Sequence, residues 1–191
     1  MKIIKATMQP HAKNIFLTGA LHSGKSTIIN QVLQRMTGWN IGGFRTRPVF
    51  ESAQKCGFVL QSFDGLEECF AHTEMKSSAQ FDIYHYDSRK FDDLGATILQ
   101  RALTDSDLIV MDEIGMMEMQ AKQFQQMICR CLDAPVRVLG AFQQRADWFR
   151  ALLSDREDTM IVAVDPSNRI ELVEWIISLL HSDPATIKFL T

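Results

Sequence analysis

The chain has 191 residues, 46% hydrophobic and 23% charged, an ordinary composition that predicts one globular domain over residues 1–191. The net charge of −3, with Lys and Arg scattered along the chain, disfavours nucleic acid as a partner. No apolar run approaches the roughly 20 residues needed to span a bilayer, so no membrane segment is expected.

The first predicted strand and helix enclose a glycine-containing octapeptide. Residues 14–18 are an apolar run ending at Gly19, which predicts a buried strand. Residues 26–36 carry apolar side chains at helical spacing, and Gly38 follows where a helix is expected to stop. The octapeptide GALHSGKS, residues 19–26, therefore lies between a strand and a helix.

A β-rich segment follows, at about residues 41–87. The sequence predicts four short strands there, and Asp64-Gly65 between two of them is a strong hairpin turn. The segment is expected to form an antiparallel meander inserted into an otherwise alternating chain. Its predicted strands are residues 41–49, 57–63, 69–73 and 81–86.

The remaining chain alternates between helices and strands. A fully apolar strand at residues 108–111 is followed by Asp112-Glu113, and Asp165-Pro166 is expected to begin the last helix, which runs to about Leu180. This alternation predicts an α/β fold, with a mainly parallel sheet, helices on both faces and the added meander. The other predicted elements are helices at 91–103, 124–132 and 148–153 and strands at 136–142 and 160–164.

The octapeptide matches the phosphate-binding loop pattern G-x-x-x-x-G-K-[ST], which defines a P-loop NTPase. Backbone N–H groups of such a loop surround a polyphosphate, and the following helix N-terminus adds a favourable dipole. Lys25 is expected to reach the β- and γ-phosphates. The predicted nucleotide contacts are Gly19, Ala20, Leu21, His22, Ser23, Gly24, Lys25, Ser26 and Thr27.

Mg²⁺ is the cofactor that this loop implies. The Ser26 hydroxyl is expected to hold the ion. A second contact, through water, is expected from Asp112, because ligands of open α/β sheets bind at the carboxyl ends of the strands. The alternative for Asp112 is an ordinary surface carboxylate at a strand end.

Glu113 bears on whether the terminal phosphate is transferred to water or to a substrate. A carboxylate directly after the metal-linked Asp can accept a proton from an attacking water, as in other P-loop enzymes that hydrolyse nucleotides. A kinase instead needs its carboxylate aimed at a substrate hydroxyl. A structural role, capping the following turn, is the other alternative.

The four cysteines are expected to be free thiols in a reducing compartment. None forms a Cys-x-x-Cys pair, which disfavours a zinc site. The first residues lack the long apolar segment of a secretion signal. The protein is therefore expected in the cytoplasm.

The sequence resembles the THEP-type nucleoside-triphosphatases, a family of small P-loop NTPases. The resemblance spans about 150 residues, and the most specific segment has Asp112-Glu113-Ile114-Gly115 followed by Met117-Glu118. The matching segments are GALHSGKS (19–26), IGGFRT (41–46), CGFVL (56–60), LIVMDEIGMMEM (108–119), VLGAF (138–142) and DPSNR (165–169).

This resemblance implies Mg²⁺-dependent hydrolysis of nucleoside triphosphates to diphosphate and phosphate, with broad base preference. It also implies a RecA-like sheet, in which the strand at 136–142 lies between the strands carrying the loop and Asp112. Gln143 would then lie near the γ-phosphate as a sensor. The pair Asn168-Arg169 recurs in the family and is expected to border the nucleobase, unless Asn168 only caps the helix.

The sequence also departs from the family pattern. The family's loop usually reads Pro-Gly-Val-Gly before the lysine, where this chain has side chains at Leu21, His22 and Ser23. The residue after Gly115 is often lysine in the family and is Met116 here. These changes keep the residues that are predicted to bind phosphate and metal. They leave the turnover rate and the base preference open.

Hydrolysis builds negative charge on the transferring phosphoryl group, and cations offset it. Lys25 is one such cation. Arg45 ranks first for a second, because it lies in the matched segment IGGFRT; the other candidates are Arg47, Arg145 and Arg169.

Three functions remain open at this point. The leading prediction is an Mg²⁺-dependent nucleoside-triphosphatase in which Glu113 activates water. A nucleoside or nucleotide kinase would need an acceptor pocket, and a nucleotide-binding switch would need a protein partner, which the sequence does not identify.

Overall fold

The computed structural model describes residues 12–182, so most of the stretch examined for a secretion signal lies outside the described residues. No helix in residues 12–182 has the length and apolar character needed to cross a membrane. The strands are β1 (Asn14–Thr18), β2 (Ile41–Glu51), β3 (Gln54–Ser62), β4 (Glu67–His72), β5 (Gln80–Phe81), β6 (Tyr84–Tyr86), β7 (Leu108–Ile114), β8 (Arg137–Phe142) and β9 (Thr159–Ala163). The α-helices are α1 (Lys25–Leu33), α2 (Ala96–Asp105), α3 (Lys122–Asp133), α4 (Asp147–Ser154) and α5 (Arg169–His181).

All nine strands join one sheet, in the order β5-β6-β4-β3-β2-β7-β8-β1-β9. The five strands from β2 to β9 in this order pair in parallel, and the others pair antiparallel. The predicted α/β class is therefore confirmed, as is the position of β8 between β7 and β1. Parallel pairing brings the carboxyl ends of β1, β7 and β8 to one edge of the sheet, where the phosphate loop lies.

The meander differs from the prediction in two respects. Its first strand, β2, belongs to both parts of the sheet: residues 41–45 pair in parallel with β7, and residues 44–51 pair antiparallel with β3. The predicted strand at 81–86 is instead a tight hairpin of β5 and β6, because Asp82 turns the chain with a φ of 56°. The half of β2 beyond residue 45 extends past the carboxyl edge of the parallel strands.

The core consists of two layers, one on each face of the sheet. Alternation along β1 directs Phe16 to one face and Ile15 and Leu17 to the other, so an all-apolar strand is buried on both sides. The first layer is packed by α2, α3 and α4, and the second by α1 and α5. The predicted cover of helices on both faces is confirmed.

Two predicted helices begin later than expected. The last helix begins at Arg169 and not at Pro166, because the Asp165 carboxylate accepts the Ser167 N–H at 2.7 Å and holds residues 165–168 in a turn. The helix predicted at 91–103 opens with a π-helical turn, Phe91–Gly95, before α2. Both changes lie at element ends, where local side-chain hydrogen bonds compete with helix formation.

Gly43 is expected to be essential for pairing β2 with β7. Its φ is 99°, and a Cβ atom there would lie 2.0 Å from the carbonyl oxygen of Val110. We expect Gly43→Ala to lower the free energy of unfolding by roughly 3 kcal/mol or more, from backbone strain plus the clash. Urea unfolding followed by circular dichroism measures this.

Gly65 provides the matched control. It has nearly the same φ, 98°, with open space around the added Cβ. Gly65→Ala should cost only about 1 kcal/mol, from the backbone alone. Equal losses of unfolding free energy in the two variants would contradict the steric role of Gly43.

Candidate functional site

The octapeptide forms the loop between β1 and α1, and its two motif glycines are needed there. Gly24 has a φ of 99°, in the left-handed region that disfavours side chains. A Cβ atom at Gly24 would lie 2.9 Å from Nε of Arg169, and one at Gly19 would lie 2.6 Å from the Val164 carbonyl oxygen. His22 is also left-handed, with a φ of 61°. Glycine is therefore needed at the two loop positions where neighbouring atoms leave no room for a Cβ atom.

The Lys25 ammonium joins the loop to β7. Its Nζ donates to the carbonyl oxygens of Gly19 and Ala20 at 3.3 Å each, and lies 3.0 Å from Oε1 of Glu113. The side chain is only 7% exposed, which for lysine requires such partners. Beside it, the buried Oγ of Ser23 has no hydrogen-bond partner within residues 12–182. This hydroxyl is available to a phosphate oxygen.

Ser26 and Asp112 form the second contact between the loop and β7. Ser26 Oγ donates to Oδ1 of Asp112 at 2.9 Å. Burial raises the pKa of Asp112 to about 6; the Glu113 charge adds to the rise, while the Ser26 hydrogen bond and the charges of Arg45 and Lys25 oppose it. A buried carboxylate beside a hydroxyl is a pair of hard oxygen ligands of the kind that Mg²⁺ prefers.

Glu113 and Gln143 face the same space as Lys25. Glu113 lies where the register of β7 with β8 shifts, so its side chain leaves the sheet at the carboxyl edge. Gln143 follows β8, and its N–H donates to the Ile114 carbonyl oxygen at 2.8 Å. A Cβ atom at position 115 would lie 2.6 Å from the Gln143 side chain, so Gly115 makes room for it.

These groups line one end of a cleft of about 440 Å³. The other end is formed by β2, β3, β4 and the hairpin of β5 and β6. The cleft thus has a polar end at the loop and a mainly apolar outer end. The polar end is lined by His22, Ser23, Gly24, Lys25, Ser26, Thr27, Thr46, Glu113, Glu118 and Gln143, and the outer end by Leu21, Pro48, Phe50, Lys55, Phe58, Phe70, Phe81, Met116 and Met117.

Two arginines of β2 lie outside this cleft. Arg45 is paired with Asp112 in the sheet register, and its guanidinium lies over the Phe63 ring at 4.5 Å. Arg47 forms an ion pair with Glu67 at 2.8 Å. The charge of Arg45 therefore acts on Asp112, and the charge of Arg47 is neutralised by a neighbouring strand.

Arg145 reaches the site from the loop after β8. Its guanidinium lies over the Phe81 ring at 4.3 Å, and its Nε donates to Oε1 of Gln143 at 3.4 Å. It also lines a second cleft, of about 470 Å³, together with Lys25 and Glu113. Among the four candidate arginines, Arg145 is the one that shares a cleft with both of those residues.

Asn168 and Arg169 lie on the other side of the loop. Asn168 does not cap α5 with its side chain; its Oδ1 accepts the Asp165 N–H at 3.1 Å and its Nδ2 donates to the Ala163 carbonyl oxygen at 2.9 Å. Arg169 packs against Gly24, and its buried Nε has no partner within residues 12–182. The structure therefore brings this pair to the loop but away from Glu113.

Known proteins resemble this chain over most of its length. A family model described as NTPase matches residues 14–177. The chain belongs to this NTPase family. A relative from Thermotoga sp. (strain RQ2), named nucleoside-triphosphatase THEP1, is 30% identical over 166 residues, covering 87% of this chain and 94% of the relative. A THEP1 from Methanocaldococcus jannaschii is 24% identical over 166 residues, covering 86% and 95%.

Two solved structures share the fold. The crystal structure of THEP1 from Aquifex aeolicus gives a TM-score of 0.75 at 25% identity and covers 88% of this chain and 99% of that one. The solution structure of a human cancer-related nucleoside triphosphatase gives 0.76 at 24% identity, covers 90% and 99%, and bears on the fold alone. The resemblance to THEP-type NTPases is thus confirmed.

Sequence reasoning gave no role to one buried carboxyl group of this NTPase. Glu118 is 3% exposed, and its Oε2 accepts the Gly115 N–H at 3.0 Å. Burial raises the pKa of Glu118 to about 7, and the nearby Glu113 charge adds to the rise. Glu118 holds the turn that makes room for Gln143. The motif match marked this position, but only the fold shows that the side chain points inward.

A cluster of possible metal ligands lies away from the loop, at Glu51, Cys56 and His72. The Nδ1 of His72 accepts the Glu74 N–H at 3.1 Å, so a neutral ring carries its proton on Nε2, which lies 3.5 Å from Oε1 of Glu51. Burial raises the pKa of the Cys56 thiol. Zinc binding needs a thiolate and an unprotonated ring nitrogen. In this cluster the three ligand atoms lie within 4.8 Å of one another.

The raised pKa of Glu118 predicts a pH-dependent loss of stability. The ordinary glutamate pKa is 4.5 and the folded value is about 7, so Glu118 favours the folded state below pH 4.5 and that contribution is lost as the pH rises to 7. Glu118→Gln keeps an acceptor for Gly115 without a charge. We expect it to be more stable than the wild type at pH 8 by up to about 3 kcal/mol.

Melting temperatures at pH 5, 6.5 and 8 measure this difference. The exposed residue Glu74 is the control, since Glu74→Gln should change stability equally at each pH. A Glu118→Gln variant that tracks the wild type across the range would contradict the buried, largely neutral carboxyl group.

Proposed function

We propose that the protein hydrolyses nucleoside triphosphates, ATP and GTP among them, to diphosphate and phosphate with Mg²⁺. The observation that carries this proposal is the contact of Glu113 with Lys25 at 3.0 Å. It places a carboxylate beside the loop lysine and so beside the terminal phosphate that this lysine would bind. The family membership supports the same activity, since the relatives are named nucleoside-triphosphatases.

The loop would bind the phosphate chain. Backbone N–H groups of residues 19–27 and the N-terminus of α1 supply donors and a positive dipole. The Ser23 hydroxyl, buried without a partner within residues 12–182, supplies another donor. Lys25 would exchange its carbonyl contacts for phosphate oxygens.

Ser26 and Asp112 fit Mg²⁺ by the chemistry of their oxygens. They lie 2.9 Å apart, and burial already makes the lone charge on Asp112 unfavourable, so a cation there would offset that cost. When bound, the ion supplies positive charge that polarises the phosphate oxygens. We propose that Ser26 holds it directly and Asp112 through water.

Glu113 would act as general base. Its carboxylate would take a proton from water, whose oxygen attacks the γ-phosphorus while the bond to the bridging oxygen breaks and the diphosphate leaves. The Gln143 amide faces the same space and would orient that water or sense the terminal phosphate. Gly115 and Glu118 hold this arrangement from behind.

We assign different roles to the two arginines near the site. Arg45 ranks first from the sequence, but its guanidinium lies over Phe63, so it would act through Asp112 by favouring the carboxylate. Arg145 shares a cleft with Lys25 and Glu113, so it would offset charge on the transferring phosphoryl group. Lys25 is the other cation in that space.

Asn168 and Arg169 would lie toward the nucleoside. Arg169 lies beside Gly24. Neither residue of the pair lines the two clefts that contain Glu113, so a triphosphate with its terminal phosphate at Glu113 would extend its other end toward them. The unpartnered Nε of Arg169 supplies a donor. The free state of all four cysteines supports the proposed cytoplasmic location.

A phosphotransferase is the second candidate, because the cleft continues past the proposed terminal phosphate. A hydrolase needs room only for water, whereas this cleft has an outer end lined by apolar side chains. An acceptor bound there would place its hydroxyl where water otherwise attacks. Product analysis distinguishes the two reactions.

Glu113→Gln tests the proposed base. We expect phosphate release from ATP, GTP, CTP and UTP to fall by about 10²–10⁴-fold, because the amide cannot take the proton. Nucleotide binding should persist, measured by titration calorimetry with Mg²⁺. The control Glu74→Gln should keep the wild-type rate.

The same assay, repeated with a nucleoside mixture, separates the alternatives. A phosphorylated acceptor without free phosphate would refute hydrolysis as the main reaction. Tight binding with no turnover in the wild type would instead identify a nucleotide switch.

Arg145→Ala tests the proposed charge stabilisation. We expect kcat to fall by about 100-fold with little change in nucleotide affinity, because the guanidinium would act on the transition state. Arg89→Ala, at an exposed position, is the control. A larger loss of kcat in Arg45→Ala than in Arg145→Ala would reverse the two assignments.

A further inference from the structure

The outer end of the cleft has an aromatic wall, defined by Phe50, Phe58, Phe70 and Phe81. Phe50 is 61% exposed, Phe58 and Phe81 are half-buried, and Phe70 belongs to the core. Exposed aromatic side chains grouped in a concave site are characteristic of ligand pockets. This group lies in the same cleft as the phosphate loop.

The wall is exposed because of the path of β2. Beyond residue 45 this strand leaves the parallel sheet, and alternation directs Thr46, Pro48 and Phe50 to one side. Pro48 is paired with Phe58 on β3, which continues the same surface. The wall therefore lies at the carboxyl edge, where ligands of α/β sheets bind.

The inner rings of the wall are held rigidly. The Phe58 ring lies 5.0 Å from the Tyr84 ring and 6.2 Å from the Phe70 ring, and Phe70 lies 4.5 Å from Phe91 in the core. A preformed aromatic surface loses little side-chain entropy when a flat molecule packs on it. It therefore suits a planar, apolar group.

Other side chains that line the cleft are also apolar. Leu21, from the phosphate loop, is 77% exposed, and Met116 and Met117 complete the lining. Phosphate binding needs N–H and cationic donors, and these side chains supply none. The outer end is therefore not an extension of the triphosphate site.

Two cations contact rings at this end, and one of them, the Arg145 guanidinium, lies over the Phe81 ring at 4.3 Å. The Lys55 ammonium is 4.7 Å from the centre of the Phe58 ring and 5.4 Å from that of Tyr84. Within residues 12–182 no carboxylate forms an ion pair with it. Its charge is available to an anionic group on a molecule that packs against the wall.

We propose that the outer end of the cleft binds a small planar aromatic molecule with an anionic group. The ring packs against the aromatic wall, and the anion lies at Lys55. The placement of this molecule beside the terminal phosphate rests on the proposed function, but its binding does not require nucleotide. The chain thus has a second ligand site, adjoining the first.

Two fluorescent probes that differ in charge test this proposal. 8-Anilinonaphthalene-1-sulfonate is an aromatic anion, and N-phenyl-1-naphthylamine is its uncharged counterpart. We expect both to bind the folded wild type at one site without nucleotide. Phe50→Ala should weaken both by about 2–10-fold. Lys55→Gln should weaken only the sulfonate, by about 2–5-fold.

Matched controls use residues outside the cleft. Ile83 is 57% exposed, close to the value for Phe50, and Lys122 is an exposed lysine at the start of α3. Ile83→Ala and Lys122→Gln should bind both probes like the wild type. Circular dichroism and melting curves show that each variant is folded, and since Phe50 and Lys55 are exposed no large loss of stability is expected.

Several outcomes would overturn the proposal. Unchanged probe affinity in Phe50→Ala refutes binding at the aromatic wall. Equal weakening of both probes in Lys55→Gln refutes the contact between Lys55 and the anionic group. A wild-type dimer that becomes a monomer in Phe50→Ala, by sedimentation, would show that a second copy covers the wall. Phosphate release without probe is measured separately, so loss of one activity does not imply loss of the other.

Discussion

The ion pair between Lys25 and Glu113 is the interaction on which the site depends. It joins the amino end of α1 to the carboxyl end of β7, two segments separated by 87 residues in the chain. The pair forms because β8 lies between β1 and β7 and all three strands run in the same direction. The parallel sheet thus brings the carboxyl ends of three distant strands together, and the charged groups near them form one cluster.

Burial gives this cluster its chemistry. Lys25, Asp112 and Glu118 are all less than a tenth exposed, so their charges act through protein rather than water. Two carboxyl groups have raised pKa values because burial penalises their charged forms. A triphosphate with Mg²⁺ would bring both negative and positive charge to this site. In the proposed function, the cation would offset the cost of ionising the buried Asp112.

The fold was predictable wherever local patterns decide structure. The apolar run at 108–111 and the glycine pattern at 19–26 identified β7, β1 and α1, because burial on both faces and a phosphate loop each require specific residues. The double role of β2 was not predictable, since one strand pairs in parallel at its start and antiparallel at its end. No local pattern distinguishes these two partners.

The sequence predicted which residues would lie near one another. It did not predict the shape of the cleft that they line. Asp112 and Glu113 were identified by their place after a buried strand. Arg145 and Glu118 could not be assigned the same way, because an arginine in a loop and a glutamate in a turn have many possible environments. Their roles follow from contacts with Gln143 and Gly115 that only the folded chain makes.

The departures from the family pattern acquire a common meaning in the structure. Leu21 stands where the family loop usually has proline, and Met116 stands where lysine is frequent; both line the same cleft. Each change adds apolar surface to a cleft that Phe50 and Phe58 also line. If the outer cleft only admitted water, exposed apolar side chains there would be a cost to solubility without a benefit. We propose that these side chains and the aromatic wall together form the site of the aromatic anion, beside the phosphate loop.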